Sequence, residues 1–474
     1  MALADQQPLL DGRAVPATAG WDRYVRRVEV LKEQYRAIPP GRPVRLAKKT
    51  SNLFRSRNPA GPAGAGLDVG AFDGVLDVNV ENRWADVGGM TTYEHLVDAL
   101  LPFGLVPLVV PELKTITLGG AVTGLGIESS SFRNGMPHES VIEMDILTGS
   151  GEVLTASREG PHRDLFFGFP NSYGSLGYAL RLRIELEEVH PYVHLRHLRF
   201  TRTSDLLATM AEVCESRRHE GERVDFVDGT VFSCEECYLT LGGWSDSAPR
   251  TSDYTHQDIY YRSIQSRRED WLTVRDYLWR WDTDWFWCSR AFYAQNQLVR
   301  RLAGPRFLRS DTYWKIMAFE ERHRWKARID ARRGLPPREN VIQDVELPLA
   351  RVEEFLDSFQ REVPISPFWL CPLRQRSPEE TWELYRLDPE QLYVNVGFWA
   401  SVPLEAGMDP AHHNRWVEQE VDRLGGRKSL YSTVFYDRDR FWELYNGPFY
   451  RSLKSRYDPA GRLHDLYAKC VGAR

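Results

Sequence analysis

Four glycines and a run of hydroxyls crowd one short stretch: Thr117, Leu118, Gly119, Gly120, Ala121, Val122, Thr123, Gly124, Leu125, Gly126, Ile127, Glu128, Ser129, Ser130 and Ser131. Glycine lets a backbone take positive φ and come close to a ligand. Such a loop can turn several N–H groups inward as a nest for an anion, and the three serines can add hydroxyl donors. The natural client is a pyrophosphate, and so a dinucleotide cofactor. A glycine-rich turn that only connects strands fits the same composition, and both readings stand at this point.

Two familiar phosphate loops are excluded. No G-x-x-x-x-G-K-[ST] occurs, and the order Gly120-x-x-x-Gly124-x-Gly126 is not G-x-G-x-x-G, which argues against a Rossmann turn. What precedes the stretch reads as extended, Val106 to Val110 and then Pro111-Glu112-Leu113.

The run Pro111-Glu112-Leu113, then Thr117 to Gly120, then Gly124 to Ser131 resembles the flavin loop of the Δ24-sterol reductase family. That family sits among FAD proteins with the two-lobed flavin domain of vanillyl-alcohol oxidase type. The resemblance continues through Asp164-Leu-Phe166 and Gly174-Ser-Leu-Gly177. It recurs at Phe226-Val-Asp-Gly229, Gln343 to Pro348, Trp369-Leu-Cys-Pro372 and Phe441-Trp-Glu-Leu444. It implies an α+β protein, with a two-lobed FAD-binding domain plus an α+β cap domain built on an antiparallel sheet. It implies FAD held by residues 117–130, by a first loop of Lys49, Thr50, Ser51 and Asn52, and by a loop beside the isoalloxazine, Asn171, Ser172, Gly174, Ser175 and Gly177. Covalent flavin oxidases of this group often carry a histidine in the first loop. None lies between residues 40 and 60, so noncovalent FAD is expected.

The resembled family reduces a carbon–carbon double bond in a lipid. Hydride goes to one alkene carbon, and a positioned acid must protonate the other. Candidates for the acid are Tyr393, Glu346 and Glu128, each in a segment expected to face the flavin. The Arg- and Ala-rich composition suits a bacterial branch resembling the 10-methylene fatty acyl reductases. These saturate a methylene branch on a phospholipid-bound acyl chain, in the manner of 10-methyl stearate synthesis. NADPH is the expected reductant; no second nucleotide fold is visible, so it must enter by the flavin's own opening, or a partner must deliver the electrons. A methyltransferase is an expected partner. Two other readings remain open: a flavin oxidase or dehydrogenase of an alcohol or sugar-like substrate, and a flavin-free protein that binds lipid or a partner.

The elements that must position these residues follow from composition and periodicity. At 474 residues the chain exceeds one ordinary core. Three parts are expected: residues 1–195 as FAD-binding domain, 196–430 as cap, and 431–474 packing back on the FAD domain. Hydrophobic content of 42% with 27% charged residues fits a folded chain, and a net charge of -5 gives nucleic acid no support as a partner. Six cysteines are sparse and read as reduced thiols; Cys234-x-x-Cys237 has no second pair, and no cluster has metal-ligand spacing. No apolar run approaches the roughly 20 residues of a membrane span, so a cytoplasmic protein is expected, or one peripheral on the inner face of the cell membrane.

Periodicity predicts a helix over 20–37 with Trp21, Val25, Val28, Leu31 and Tyr35 on one face. It predicts strands at 44–47, 74–79 and 84–87, and a helix after Thr92. A hairpin at 141–157 and an alternating strand at 179–187 complete the first domain. In the cap, Asp344 and Glu346 share one face of a strand by the period of two. Residues 260–333 crowd tryptophans and tyrosines among arginines. They read either as cap core or as an amphipathic surface for lipid headgroups.

Overall fold

The structure, a computed structural model, describes residues 17–48, 54, 65–292, 294–305, 307–323 and 325–471. The first lobe packs helix α1 (Ala17–Arg36) on the parallel pair β1 (Val44–Ala47) and β2 (Ala65–Asp68). The buried stripe of α1 is Tyr24, Val28, Leu31 and Tyr35, the i, i+4, i+7 spacing of one helix face. Val25, expected on that face, is 56% exposed; Tyr24 takes the place because its ring reaches Phe72 and its hydroxyl reaches Asp145 Oδ2 at 2.7 Å.

The second lobe is an antiparallel sheet, with β3 (Val75–Asn79) and β4 (Trp84–Gly88) at one side. Helix α2 (Tyr93–Leu100), capped by Thr92, leads to β5 (Leu105–Pro107), α3 (Leu118–Gly124) and α4 (Ser131–Asn134). Then come β6 (Val141–Thr148), β7 (Val153–Ser157), α5 (Arg163–Gly168) and the central strand β8 (Gly177–Glu188). Strand order is β3-β4-β8-β6-β7, with β5 also on β8. Along β8, Leu182, Ile184 and Leu186 enter the core as alternation requires. The other face is not simply solvated. Arg181 is buried under α1, where it pairs with Asp86 and with Asp145 at 2.8 Å.

The cap sheet begins with β9 (Tyr192–Phe200), followed by α6 (Thr203–Ser216), a small hairpin β10 (Arg218–His219) and β11 (Glu222–Arg223), then β12 (Phe226–Ser233) and β13 (Glu236–Ser245). Helix α7 (Tyr260–Ser266), β14 (Glu269–Thr273) and helices α8 (Val274–Leu278), α9 (Gln297–Ala303), α10 (Ser310–His323) and α11 (Trp325–Arg332) follow. The chain returns through β15 (Arg338–Pro348), α12 (Leu349–Glu362), β16 (Phe368–Leu373), β17 (Tyr393–Pro403), α13 (His412–Arg423) and β18 (Arg427–Lys428). All eight strands of the sheet, in the order β14-β9-β13-β12-β16-β17-β15-β18, pair antiparallel. One face is apolar, with Val227, Leu239, Val345, Leu370, Val396 and Phe398 packed beneath α6, α12 and α13. The opposite face carries the polar residues and meets the first domain.

The tail, α14 (Arg438–Leu444), α15 (Gly447–Tyr457) and α16 (Leu466–Cys470), lies against the first domain. Lys454 donates to Ser175 O at 2.8 Å, and Lys469 to Gly174 O at 2.7 Å. The architecture is the α+β arrangement with antiparallel sheets expected from the sequence. Among the described residues no helix is long and apolar enough to cross a membrane, and no group of three His, Cys, Asp or Glu is placed to hold a metal ion.

Candidate active site

The glycine stretch is a short helix, not an open nest. Thr117 caps α3 by accepting the Gly120 N–H at 3.2 Å. The Leu118 and Gly119 amides donate to Thr91 O and Gly89 O, both at 2.9 Å. The first turn is therefore satisfied inside the protein. None of its four glycines has positive φ; Leu125, at φ 64, is the residue that turns the chain. The glycines serve close packing instead. A Cβ on Gly119 would stand 2.7 Å from Gly89 O, and one on Gly126 3.2 Å from Pro137 Cγ and 3.3 Å from Pro111 Cγ. The serines are also committed: Ser129 Oγ lies 2.8 Å from Tyr277 OH, and Ser130 Oγ donates to Leu108 O at 2.9 Å. Leu118, Gly119, Ala121 and Val122 are core. The part open to a ligand narrows to Gly120 and Thr123, Gly124, Leu125, Gly126 and Ile127, all half-buried.

The second glycine loop touches this strip. The Tyr173 N–H donates to Thr123 O at 2.9 Å, and its hydroxyl donates to Gly124 O at 2.6 Å. Asn171, Tyr173 and Gly174 all have positive φ, at 61°, 48° and 72°. Three such residues in four mark a strained loop held by its surroundings. Asn171, Ser172, Gly174, Ser175 and Gly177, expected beside the isoalloxazine, are buried, while Tyr173 and Tyr178 are half-buried. Asn171 donates to Leu384 O at 2.8 Å, while Asn171 Oδ1 and Ser172 Oγ have no partner. Lys49, Thr50, Ser51 and Asn52 lie outside the described residues.

These residues fit a flavin nucleotide. Met90, Gly120, Thr123 to Ile127, Tyr173 and Tyr178 are half-buried and form the candidate groove. Its glycines leave the backbone bare, the Tyr173 hydroxyl donates to Gly124 O, and Asn171 Oδ1 and Ser172 Oγ of the neighbouring loop have no partner.

Glu128 is buried at the junction with the cap, beside Glu112, Phe226, Tyr277 and Arg280. Burial pushes its carboxyl up to about 7. Arg280 pairs there with Glu112 and with Asp228 at 2.8 Å. Three carboxyls around one buried guanidinium cannot all ionise, so Glu128 and Glu112 keep proton character. Glu128 thus belongs to an interdomain polar knot with Ser129, Tyr277 and Arg280, not to the groove.

Glu346 and Tyr393 do lie on the cap face that meets the first domain. Glu346 stands opposite Asn395, which stands opposite Cys371. One register step beyond the Gly229–Leu370 pair brings Asp228 level with Cys371. A polar row therefore crosses β12, β16, β17 and β15. Tyr385 donates to Glu346 Oε2 and Ser429 to Oε1 at 3.2 Å; burial, with Asp344 nearby, pushes Glu346 up to about 8. Asp344, one same-face step along β15, is less enclosed. Burial pushes it up to about 6, while Asn395 donates to it at 3.0 Å. Tyr431 hydrogen-bonds Asp344 and accepts from Trp399 Nε1 at 2.9 Å. Tyr393 turns its hydroxyl to the Asp388 N–H at 3.1 Å, off to one side.

Aromatic rings wall this acid pair. Phe286 stacks on Trp399 at 4.4 Å, and Phe54 stacks on Trp285 at 5.4 Å and meets Tyr431 edge-on at 5.8 Å. Sequence reasoning missed Asn395, Tyr385, Ser429, Tyr431, Tyr173 and Arg280. A signal for part of the set was present: Asp228, Asn395, Asp344 and Glu346 each interrupt a Val- or Leu-rich strand at alternate positions.

The family described as FAD binding domain matches residues 29–157, from within α1 to the end of β7. The chain is 27% identical over 436 residues to a Δ24-sterol reductase homolog of Caenorhabditis elegans, across 84% of this chain and 77% of that protein. It is 24% identical over 417 residues to the Δ24-sterol reductase of Homo sapiens, with the same 84% and 77% coverage. A shorter likeness, 31% identity over 156 residues, joins 33% of this chain to 28% of cytokinin dehydrogenase 10 from Oryza sativa subsp. japonica. Residues 29–157 thus match an FAD binding domain, and the chain is similar over most of its length to Δ24-sterol reductases.

Proposed function

We propose that this protein reduces a carbon–carbon double bond in a lipid, with noncovalent FAD and with NADPH as reductant. In this reading the substrate is the methylene branch of a phospholipid-bound fatty acyl chain, which becomes a methyl branch, as from 10-methylene to 10-methyl stearate. A methyltransferase that installs the methylene group is the partner upstream.

The observation that carries the reading is the acid pair Asp344 and Glu346 on the cap face turned to the flavin domain. Bound flavin supplies a hydride equivalent to one alkene carbon, and the other carbon needs a proton. Glu346 holds that proton at neutral pH, because enclosure penalises its ionised form and Tyr385 and Ser429 fix it in place. Asp344, roughly 7 Å along the strand and half-buried, is the less enclosed member and in this reading passes the proton on to the alkene carbon. Trp285, Phe286 and Trp399 exclude water and offer an apolar wall to an acyl chain.

The likeness to sterol reductases spans both domains, whereas the likeness to a cytokinin dehydrogenase spans a third of the chain. That asymmetry favours alkene reduction over oxidation of an alcohol or sugar-like substrate. The test is anaerobic. NADPH should bleach the flavin, and a phospholipid with a 10-methylene acyl chain should restore its colour. Restoration by oxygen alone, with peroxide formed from a small alcohol, would overturn the reading in favour of an oxidase.

A further inference from the structure

We infer that the outward faces of α9 and α10, with the loop between them, form a docking surface for an anionic lipid bilayer. The inference extends the lipid reading above and specifies where the substrate's membrane meets the protein.

Helix α9 is built inside out. Arg300 is 0% exposed, whereas Leu302 is 87% and Leu298 70% exposed. The Arg300 guanidinium pairs with Asp284 at 2.6 Å and donates to the carbonyls of His256 and of Asp258, the latter at 3.1 Å. Asn296 caps the helix by accepting the Leu298 N–H at 2.9 Å. The helix is therefore fixed in an orientation that turns Arg300 inward and its leucines outward, the reverse of a water-facing amphipathic helix. Phe307 in the next loop and Phe319 on α10 extend the apolar face, at 64% and 57% exposed. Large apolar side chains exposed together on successive elements mark an interaction surface.

Charge decides between occupants. Residues 296–335 contain eleven Lys or Arg and four Asp or Glu, a net of +7 in a chain whose net charge is -5. Arg301, Lys315, Arg328, Arg332 and Arg333 are exposed around the apolar residues. Apolar side chains ringed by arginine match the interface of a bilayer that contains acidic phospholipids. A second copy of the chain fits poorly, because a two-fold contact would set +7 against +7. Position agrees as well. The inner side of α10 carries Tyr313, which donates to Thr283 O at 2.9 Å, and Trp314, which meets Phe54 edge-on at 5.1 Å. One helix thus touches, through Trp314 and Phe54, the aromatic cluster that holds Tyr431 on one side, and exposes apolar side chains on the other.

The test uses the full FAD-loaded chain and the double variant Leu302→Ser/Phe307→Ser, whose replaced side chains are exposed and leave the flavin spectrum as a check on folding. Wild type should sediment with vesicles of phosphatidylglycerol mixed with phosphatidylcholine and less with phosphatidylcholine alone, and added salt should release it. The variant should bind about tenfold more weakly for each large apolar side chain withdrawn. Equal binding of variant and wild type, or wild type that stays in the supernatant, would overturn the inference. So would a dimer, seen by light scattering, that the double substitution splits. Reduction of detergent-dispersed lipid is scored separately. Vesicle binding without reduction defeats the proposed activity and leaves the surface standing; reduction without vesicle binding does the opposite.

Discussion

Replacing Glu346 by glutamine keeps shape and removes one ionisation. Burial pushes the Glu346 carboxyl from its usual 4.5 up to about 8. A folded-state value above the unfolded one means the folded protein retains a proton that the unfolded chain gives up. The associated stability is fully present below about 4.5 and is lost as pH rises through about 8. At about 1.4 kcal/mol per unit, the whole interval corresponds to a ceiling of about 5 kcal/mol, of which about 3 kcal/mol falls between pH 4.5 and neutrality. Glutamine does not titrate, so Glu346→Gln should flatten that part of the stability curve and gain on wild type as pH rises. Denaturant titrations from about pH 5 to about pH 8 read this difference. The same variant should slow alkene-dependent flavin reoxidation by about 10²- to 10⁴-fold while leaving NADPH-dependent bleaching intact, a split that stopped-flow absorbance resolves. Parallel stability curves, together with an unchanged reoxidation rate, would refute both the enclosed-acid argument and the proton role.

Asp344→Asn should also depress reoxidation more than bleaching, and should remove the fall in reoxidation rate expected as pH rises through about 6, since burial pushes Asp344 up to about 6. Arg181→Met should cost about 3 kcal/mol, read by thermal unfolding, because Asp145 would be left without its cation while Asp86 keeps only Arg183, at 2.7 Å. Gly120→Val and Gly126→Val should each abolish flavin retention in gel-filtered protein. The first places its Cβ 2.8 Å from Thr117 Oγ1, and the second drives a side chain into Pro137 and Pro111. Stoichiometric flavin in either variant would contradict the groove assignment.

The arginine-rich segment shows how charge is misread in one dimension. Arg267 is held by Asp270 at 3.3 Å, Arg275 by Asp98 at 3.0 Å and Arg309 by Glu94 at 2.7 Å, while Arg280 and Arg300 are buried in ion pairs. Most of the tryptophans beside them are core: Trp279, Trp281, Trp285 and Trp287 are buried. The exposed apolar face lies further along, on α9 and α10.

Local rules alone determined much of this protein. Alternation marked β8 and β15, helical spacing marked α1, Thr92 marked the start of α2, and motif order marked the FAD binding domain and the likeness to sterol reductases. Those features depend on neighbours within a few positions, where backbone geometry dictates which side chains share a face. Tertiary structure decided what each polar side chain touches. It turned the glycine nest into a helix whose amides are satisfied by Thr91 and Gly89, and sent Glu128 to an arginine 152 positions away. It set Asp344 and Glu346 beside Asn395 and under Tyr431. Partners so distant in the chain leave no periodic trace, because burial and pairing are properties of the assembled surfaces and not of any one segment.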